Sequence, residues 1–225
     1  YVTGMAVVKT CETLRKKICE RGAEYLGCSP DDVEFDGEKV VNLKTKEEIT
    51  RKEIGNKVMC SSNAPLSATE AFSSPVSPPP FMVGIAEVEI DKETGVVEPI
   101  DYAAVVDCGT VVNPNLARVQ TEGGIAQGIG MALYEDIIYS EKGKNYSNSF
   151  MQYKIPSRLD VGEIRVEFES SYEPTGPFGA KSIGEIVINT PSPAISNAVQ
   201  NAVGVIVREL PITAEKVYKG MAEKE

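Results

Sequence analysis

Glu185 is the residue most suited to chemistry. It ends the segment Gly176-Pro-Phe-Gly-Ala-Lys-Ser-Ile-Gly-Glu185 and is followed at once by the apolar run Ile186-Val-Ile188. Pro177 and the glycines at 176, 179 and 184 predict a loop with a constrained path. A lone carboxylate at the end of such a loop, beside apolar residues, has the surroundings that suit a general base. The same pattern also reads as a solvated loop glutamate, with Lys181 as an ordinary surface charge.

A second segment, Gln120-Thr-Glu-Gly-Gly-Ile-Ala-Gln-Gly-Ile-Gly130, places four glycines in a stretch that otherwise reads as helix. Each costs about 1 kcal/mol relative to alanine. Close approach of a backbone or of a bulky ligand compensates such a cost, and tight helix packing explains the pattern equally well. Gln120 and Gln127 lie seven apart and so share a helix face, where their amides could hydrogen-bond a heteroatom-rich ligand. The order of glycines is not that of a phosphate loop.

Other chemistries drop out on composition. The 225 residues contain no histidine, which removes imidazole-dependent triads and histidine-ligated metals. Five widely spaced cysteines (Cys11, Cys19, Cys28, Cys60, Cys108) match neither a zinc nor an iron–sulfur pattern and predict free thiols in a reducing, cytoplasmic setting. A net charge of −10 disfavours nucleic acid and anionic membrane surfaces as partners. No run approaches the roughly 18 apolar residues of a membrane span. The chain begins at Tyr1, as expected of a piece of a longer polypeptide.

The elements that must position these segments follow from periodicity. Residues 4–22 read as a helix with Ala6, Val7, Cys11, Leu14, Ile18 and Cys19 near one face. Two short strands, 33–35 and 39–41, meet at Asp36-Gly37, a hairpin signal. The Ser/Pro-rich stretch 61–80 reads as a long loop ordered by a partner surface. Strands are expected at 81–90 and 96–106 around a turn at 91–95, then a helix at about 115–134. A hairpin flanking Glu141-Lys-Gly-Lys144, a strand at 163–170 and a helix at about 193–202, with Ile195, Ala198, Val199 and Ala202 inward, complete the pattern. Hairpins near 33–41, 81–106 and 137–170 should supply the sheets. Strands and helices mix without a βαβ repeat, so the fold class is α+β.

Taken in order, these segments resemble the xanthine dehydrogenase and aldehyde oxidase family of molybdenum hydroxylases. The resemblance runs nearly end to end. It takes in Tyr1-Val-Thr-Gly-Met-Ala-Val7, Glu87-Val-Glu-Ile-Asp91, Val106-Asp-Cys-Gly109, Val112-Asn-Pro114, Gln120-Thr-Glu-Gly-Gly-Ile-Ala-Gln-Gly128, Tyr153-Lys-Ile-Pro156, Gly-Ala-Lys-Ser-Ile-Gly-Glu185 and Arg208-Glu-Leu-Pro-Ile-Thr213. The glutamine–glycine helix and the final glutamate loop are its most specific parts.

The resemblance implies that residues 1–225 are the C-terminal part of a molybdopterin-binding region, with helices packed on mixed and antiparallel sheets. Within it, 1–80 would hold a helix, a small hairpin and the Ser/Pro-rich loop, and 81–225 the main α+β portion. It places Glu185 on the family's essential glutamate and Gln120 on a cofactor-bonding glutamine. The backbone of Lys181, Ser182, Ile183 and Gly184 falls on the loop lining the cofactor pocket. No protein ligand to molybdenum is implied; the metal is held by molybdopterin, in its simple or its cytosine dinucleotide form. The implied reaction hydroxylates an electron-poor carbon of a purine or related N-heterocycle with water-derived oxygen, Glu185 taking a proton. Electrons would leave through 2Fe–2S clusters and FAD on other domains or subunits.

The rest of the pocket is expected from an N-terminal molybdopterin-binding region, so this chain by itself is expected to be inactive. Nicotinate-like heterocycles, aldehydes and carbon monoxide stay open as substrates. A non-catalytic assembly protein that kept the fold is the rival outside the enzymes.

Overall fold

A helical rhythm opens the chain and runs further than its apolar stripe. In the computed structural model, which describes residues 1–61 and 65–223, helix α1 spans Val2–Leu26. It ends where Gly27 adopts a left-handed conformation (φ 69°). Only the second half of the expected stripe is covered: Ile18 is buried and Leu14 and Cys19 pack against it, whereas Val7 and Cys11 are exposed. Gly22 explains how close the helix lies to the strands below it, since a Cβ there would stand 2.8 Å from Val40. Strands β1 (Val33–Phe35), β2 (Lys39–Asn42) and β3 (Glu48–Thr50) form an antiparallel sheet in that order. The Asp36-Gly37 turn joins the first two, as its dipeptide predicts. Helix α2 (Arg51–Met59) was not expected, although Thr50 and Glu53 close a reciprocal capping box at its start.

These elements form one of two compact units, Tyr1–Ser77, with its core of Ile18, Phe35, Val40, Ile49, Ile54 and Val58. Part of the Ser/Pro-rich stretch, 62–64, lies outside the described residues. From 65 to 77 the chain has neither helix nor strand. Helix α1 holds it at two points: Lys17 Nζ donates to the Ser67 carbonyl (2.6 Å) and Thr13 Oγ1 to Glu70 (2.8 Å).

The second unit, Pro78–Glu225, is built on a three-stranded sheet. Strands β4 (Phe81–Ile90) and β5 (Val97–Asp107) pair antiparallel through a turn in which Gly95 takes φ 78°. Strand β6 (Glu163–Phe168) pairs with β5 in parallel, so the expected hairpin over 137–170 is not formed. What exists there is a short ladder around the expected turn at 141–144, with a bridge from Tyr139 to Asn145 and the Tyr146 N–H donating to the Ile138 carbonyl. A parallel neighbour requires a long crossover, and the crossover contains helix α3 (Pro114–Leu133). Helices α4 (Ile186–Asn189), α5 (Pro191–Val203) and α6 (Ala214–Ala222) follow.

One face of this sheet meets α3 and α5 around Tyr102, Ala104, Val166, Ile125, Ile129, Ile195 and Val199. On α5, Ile195 and Val199 are inward as expected, while Ala202 is exposed. The opposite face is left open, with Phe81, Val83, Ile85 and Val105 all exposed. The mixture of helices with mixed and antiparallel sheets is the α+β class read from the sequence.

Candidate active site

The site is assembled where β5 ends. Asp107, its last residue, turns its carboxylate back to accept the Gly109 N–H (3.0 Å), and Gly109 takes φ 71° to allow the turn. A side chain at 109 would put a Cβ 2.4 Å from the Gly179 carbonyl. That closeness lets two stretches far apart in sequence join. The Thr110 N–H donates to the Gly179 carbonyl and the Lys181 N–H to the Cys108 carbonyl, both at 2.8 Å.

Side chains reinforce the junction. Lys181 Nζ lies 2.7 Å from Asp107 Oδ2, with side chains only 11% and 21% exposed. Ser171 Oγ donates to Asp107 Oδ1 at 2.6 Å. Burial would raise the Asp107 proton affinity, but the Lys181 ammonium, the Ser171 hydroxyl and the Gly109 N–H outweigh it and lower its pKa to about 2. The Lys181 ammonium also sits 5.4 Å from the centre of the Phe81 ring. Lys181 is therefore not the surface charge its sequence setting allows. Sequence reasoning missed Asp107 and Ser171; the Asp107-Cys-Gly109 turn was the one signal present.

From Lys181 the chain passes Ser182, Ile183 and Gly184 to Glu185, which caps α4 without a side-chain hydrogen bond. The next elements fix the far end. Val187 is fully buried, and Gly124 of α3 receives it: a Cβ at 124 would stand 2.1 Å from Val187 Cγ2. The buried Tyr102 hydroxyl donates to Thr190 Oγ1 at 2.8 Å, and Gly128 accommodates Pro191. Two of the four helix glycines are thus packing glycines, and Gly130 is a third, facing Pro156 and Glu135. Gly123 is different: a Cβ there would meet nothing within 4 Å.

Gln120 and Glu185 are brought together. Gln120 Nε2 donates to the Gly184 carbonyl (3.3 Å), in the peptide that leads into Glu185. A cavity of about 450 Å³ opens beside them, between the first turns of α3, the exit of β5 and the loop. Gln120, Lys181, Ile183 and Gly184 line it, together with Cys108, Thr110 and Asn113. Ser182 and Glu185 are exposed and are not part of its wall; Glu185 follows directly on Gly184 at the rim. The apolar run after it does not bury the carboxylate, because Val187 points inward and Glu185 outward. Gln127 shares the exposed face with Gln120 but lies outside the cavity wall.

The profile of the molybdopterin cofactor-binding domain matches residues 1–162. The chain belongs to this family. The probable hypoxanthine oxidase XdhD of Escherichia coli K12 is 34% identical over 224 residues, covering 97% of this chain and 23% of the relative. Subunit gamma of the 6-hydroxypseudooxynicotine dehydrogenase complex of Paenarthrobacter nicotinovorans is 30% identical, covering 96% of this chain and 28% of its own length. Among solved structures, quinoline 2-oxidoreductase from Pseudomonas putida 86 superposes with a TM-score of 0.77 at 27% identity, over 94% of this chain and 28% of that one. The Cu,Mo-CO dehydrogenase matches in fold, with a TM-score of 0.79 at 24% identity, over 98% of this chain and 29% of that one. This molybdopterin-binding domain therefore spans about a quarter of the length of the curated relatives it matches.

The residues present fit the cofactor. Gly123 is exposed on the α3 face between Gln120 and Gln127 and leaves its backbone open to close approach. Gly184 is similarly unobstructed, so backbone groups there can be approached closely. The buried Cys108 thiol is pushed up in pKa chiefly by burial, against its own backbone bond, with the Asp107 charge raising it and Lys181 lowering it further. It stays a protonated thiol at neutral pH.

Proposed function

We propose that this chain is the portion of a molybdenum-dependent hydroxylase that carries the general base, Glu185, and part of the cofactor pocket. The observation that supports it most is the bond from Gln120 Nε2 to the Gly184 carbonyl. It ties an amide-bearing helix face to the peptide preceding a carboxylate. A loop glutamate with no functional demand on it has no need of that arrangement.

The roles of the chain's own residues follow from their chemistry. Gln120, with one N–H committed to Gly184, keeps its carbonyl oxygen and second N–H to bond the pterin. The backbone of Lys181, Ile183 and Gly184 lines the same space. Molybdopterin, in simple or cytosine dinucleotide form, would supply the metal and the two-electron chemistry. Glu185 accepts the proton from the attacking water-derived oxygen, at a carboxylate held by anchors on both sides. Water exclusion from that carboxylate has to come from whatever covers the rim.

Relatives named for hypoxanthine and quinoline favour an electron-poor carbon in a purine or related N-heterocycle as the target. An aldehyde is the alternative, in line with a relative named as an aldehyde oxidoreductase subunit. The covering partner would be an N-terminal molybdopterin-binding region. The open sheet face of Phe81, Val83, Ile85 and Val105 supports this, because exposed apolar patches of that kind mark interaction surfaces. Iron–sulfur and FAD subunits or domains would take the electrons, and the five free cysteines fit a cytoplasmic location. The chain by itself should neither turn over nor retain stoichiometric molybdenum.

The test is Glu185→Gln in the complete complex, assayed with purines, N-heterocycles and aldehydes. Loss of about 10²-fold or more in turnover with molybdenum content unchanged is expected. Unchanged turnover would sink the proposal.

A further inference from the structure

The Glu185 loop begins at a pair of opposite charges occupied with each other. Asp107 Oδ2 holds the Lys181 ammonium at 2.7 Å, and Asp107 Oδ1 is held in turn by Ser171 and the Gly109 N–H. All the atoms that could turn this carboxylate are therefore fixed. Closing the base of the loop does not require it: the bridge of Gly109 to Ala180 and the Lys181 N–H bond to Cys108 do that with backbone alone. What the ion pair adds is control of residue 181 itself, four positions before Glu185. At the other end the chain is pinned by Val187 against Gly124 and by Tyr102 on Thr190. Between these anchors Ser182, Gly184 and Glu185 are exposed, and the tie from Gln120 to Gly184 is a single neutral bond.

We infer that Asp107 and Lys181 are a matched positioning pair for the Glu185 carboxylate, an inference that rests on reading Glu185 as the general base. Neither group touches the reacting atoms. A largely buried ion pair contributes little as glue and is strongly disruptive when one partner alone is removed. Its value is geometric: it resists rotation of residue 181 and so limits where residues 182–185 can lie above the cavity. Misplacement of a reacting group by about 1 Å costs on the order of 10²-fold in rate.

The experiment uses the full-length protein, with hydrogen exchange followed by peptide and turnover measured in the assembled enzyme. In Lys181→Met the amide of residue 181, bonded to the Cys108 carbonyl, should exchange about tenfold faster while those of α5 keep their rate, the mark of local opening. The value of kcat should fall by about 10- to 100-fold with KM and molybdenum content unchanged, and Lys181→Arg should restore it to within about threefold. Should Lys181→Met fail to fold, Ser171→Ala keeps the charges and removes one restraint on Asp107. It should shift exchange at residue 181 in the same direction by about threefold. Unchanged exchange at residue 181, or equal acceleration across α5, overturns the pair as a positioning device. Intact turnover in Glu185→Gln overturns the general-base reading whatever Lys181 does. Lost turnover there, with unchanged exchange in Lys181→Met, overturns the pair alone.

Discussion

The side-chain amide of Gln120 and the peptide bond that leads into Glu185 share a hydrogen bond, Nε2 to the Gly184 carbonyl at 3.3 Å. An acceptor at position 120 cannot make it. Gln120→Glu would set a carboxylate against a carbonyl, so it should impair turnover more than Gln120→Ala, by a further factor of about ten. Both variants should melt close to the parent, because residue 120 is exposed. Thermal melts with turnover in the assembled enzyme check this, and equal turnover in the two variants would contradict it.

Gly123 and Gly124 should respond oppositely to alanine. At 124 the new methyl meets Val187 Cγ2 at 2.1 Å, and Gly124→Ala should cost about 1–3 kcal/mol as α4 is displaced. At 123 there is open space, and Gly123→Ala should raise cofactor-free stability by about 0.5–1 kcal/mol through helix propensity. With the pterin lying against this face, the same substitution should lower molybdenum retention. Denaturant melts of the isolated chain and metal analysis of the assembled enzyme read the two effects.

Acid should find Asp107. Its folded pKa of about 2 lies below the ordinary 3.8, so its contribution is present above the unfolded value. That contribution is lost as pH falls from about 4 through about 2. Asp107→Asn should be less stable than the parent at pH 7, and the gap should narrow over that window. A constant gap from pH 7 to pH 2 would rule out this linkage.

The pair Tyr102 and Thr190 should show the asymmetry between losing a donor and stranding one. Tyr102→Phe removes the hydroxyl and should cost about 1 kcal/mol. Thr190→Val leaves the Tyr102 phenol without a partner in a buried position, at about 1–3 kcal/mol. Burial already pushes the Tyr102 pKa up, against the pull of the Thr190 bond, so the phenol stays protonated through neutral pH. Equal melts for the two variants would argue against this reading.

What the sequence disclosed follows from the range of the forces involved. The glycine helix and the constrained loop were readable because proline, glycine and amide spacing act locally. The strands over 81–107 alternate and are joined by a turn whose residues announce it. By contrast, Asp107 and Lys181 are 74 positions apart, and no periodicity links a strand end to a loop. The parallel placement of β6 was missed for the same reason: pairing direction depends on where the crossover goes, and a strand's own residues do not encode it. Helix α2 was missed because nine residues carry little periodic signal, although Thr50 and Glu53 already spelled its cap. The apolar neighbours of Glu185 left open whether it is solvated, since on a single helical turn adjacent residues face different ways.

Residues 182–186 run between two fixtures, Lys181 at β5 and Val187 in its socket on α3. A span with both ends set works as a ruler: one residue more or fewer would move the carboxylate or tear a fixture. Diversification of this rim must therefore proceed by exchanging side chains at Ser182 and Ile183, with the count of residues held constant.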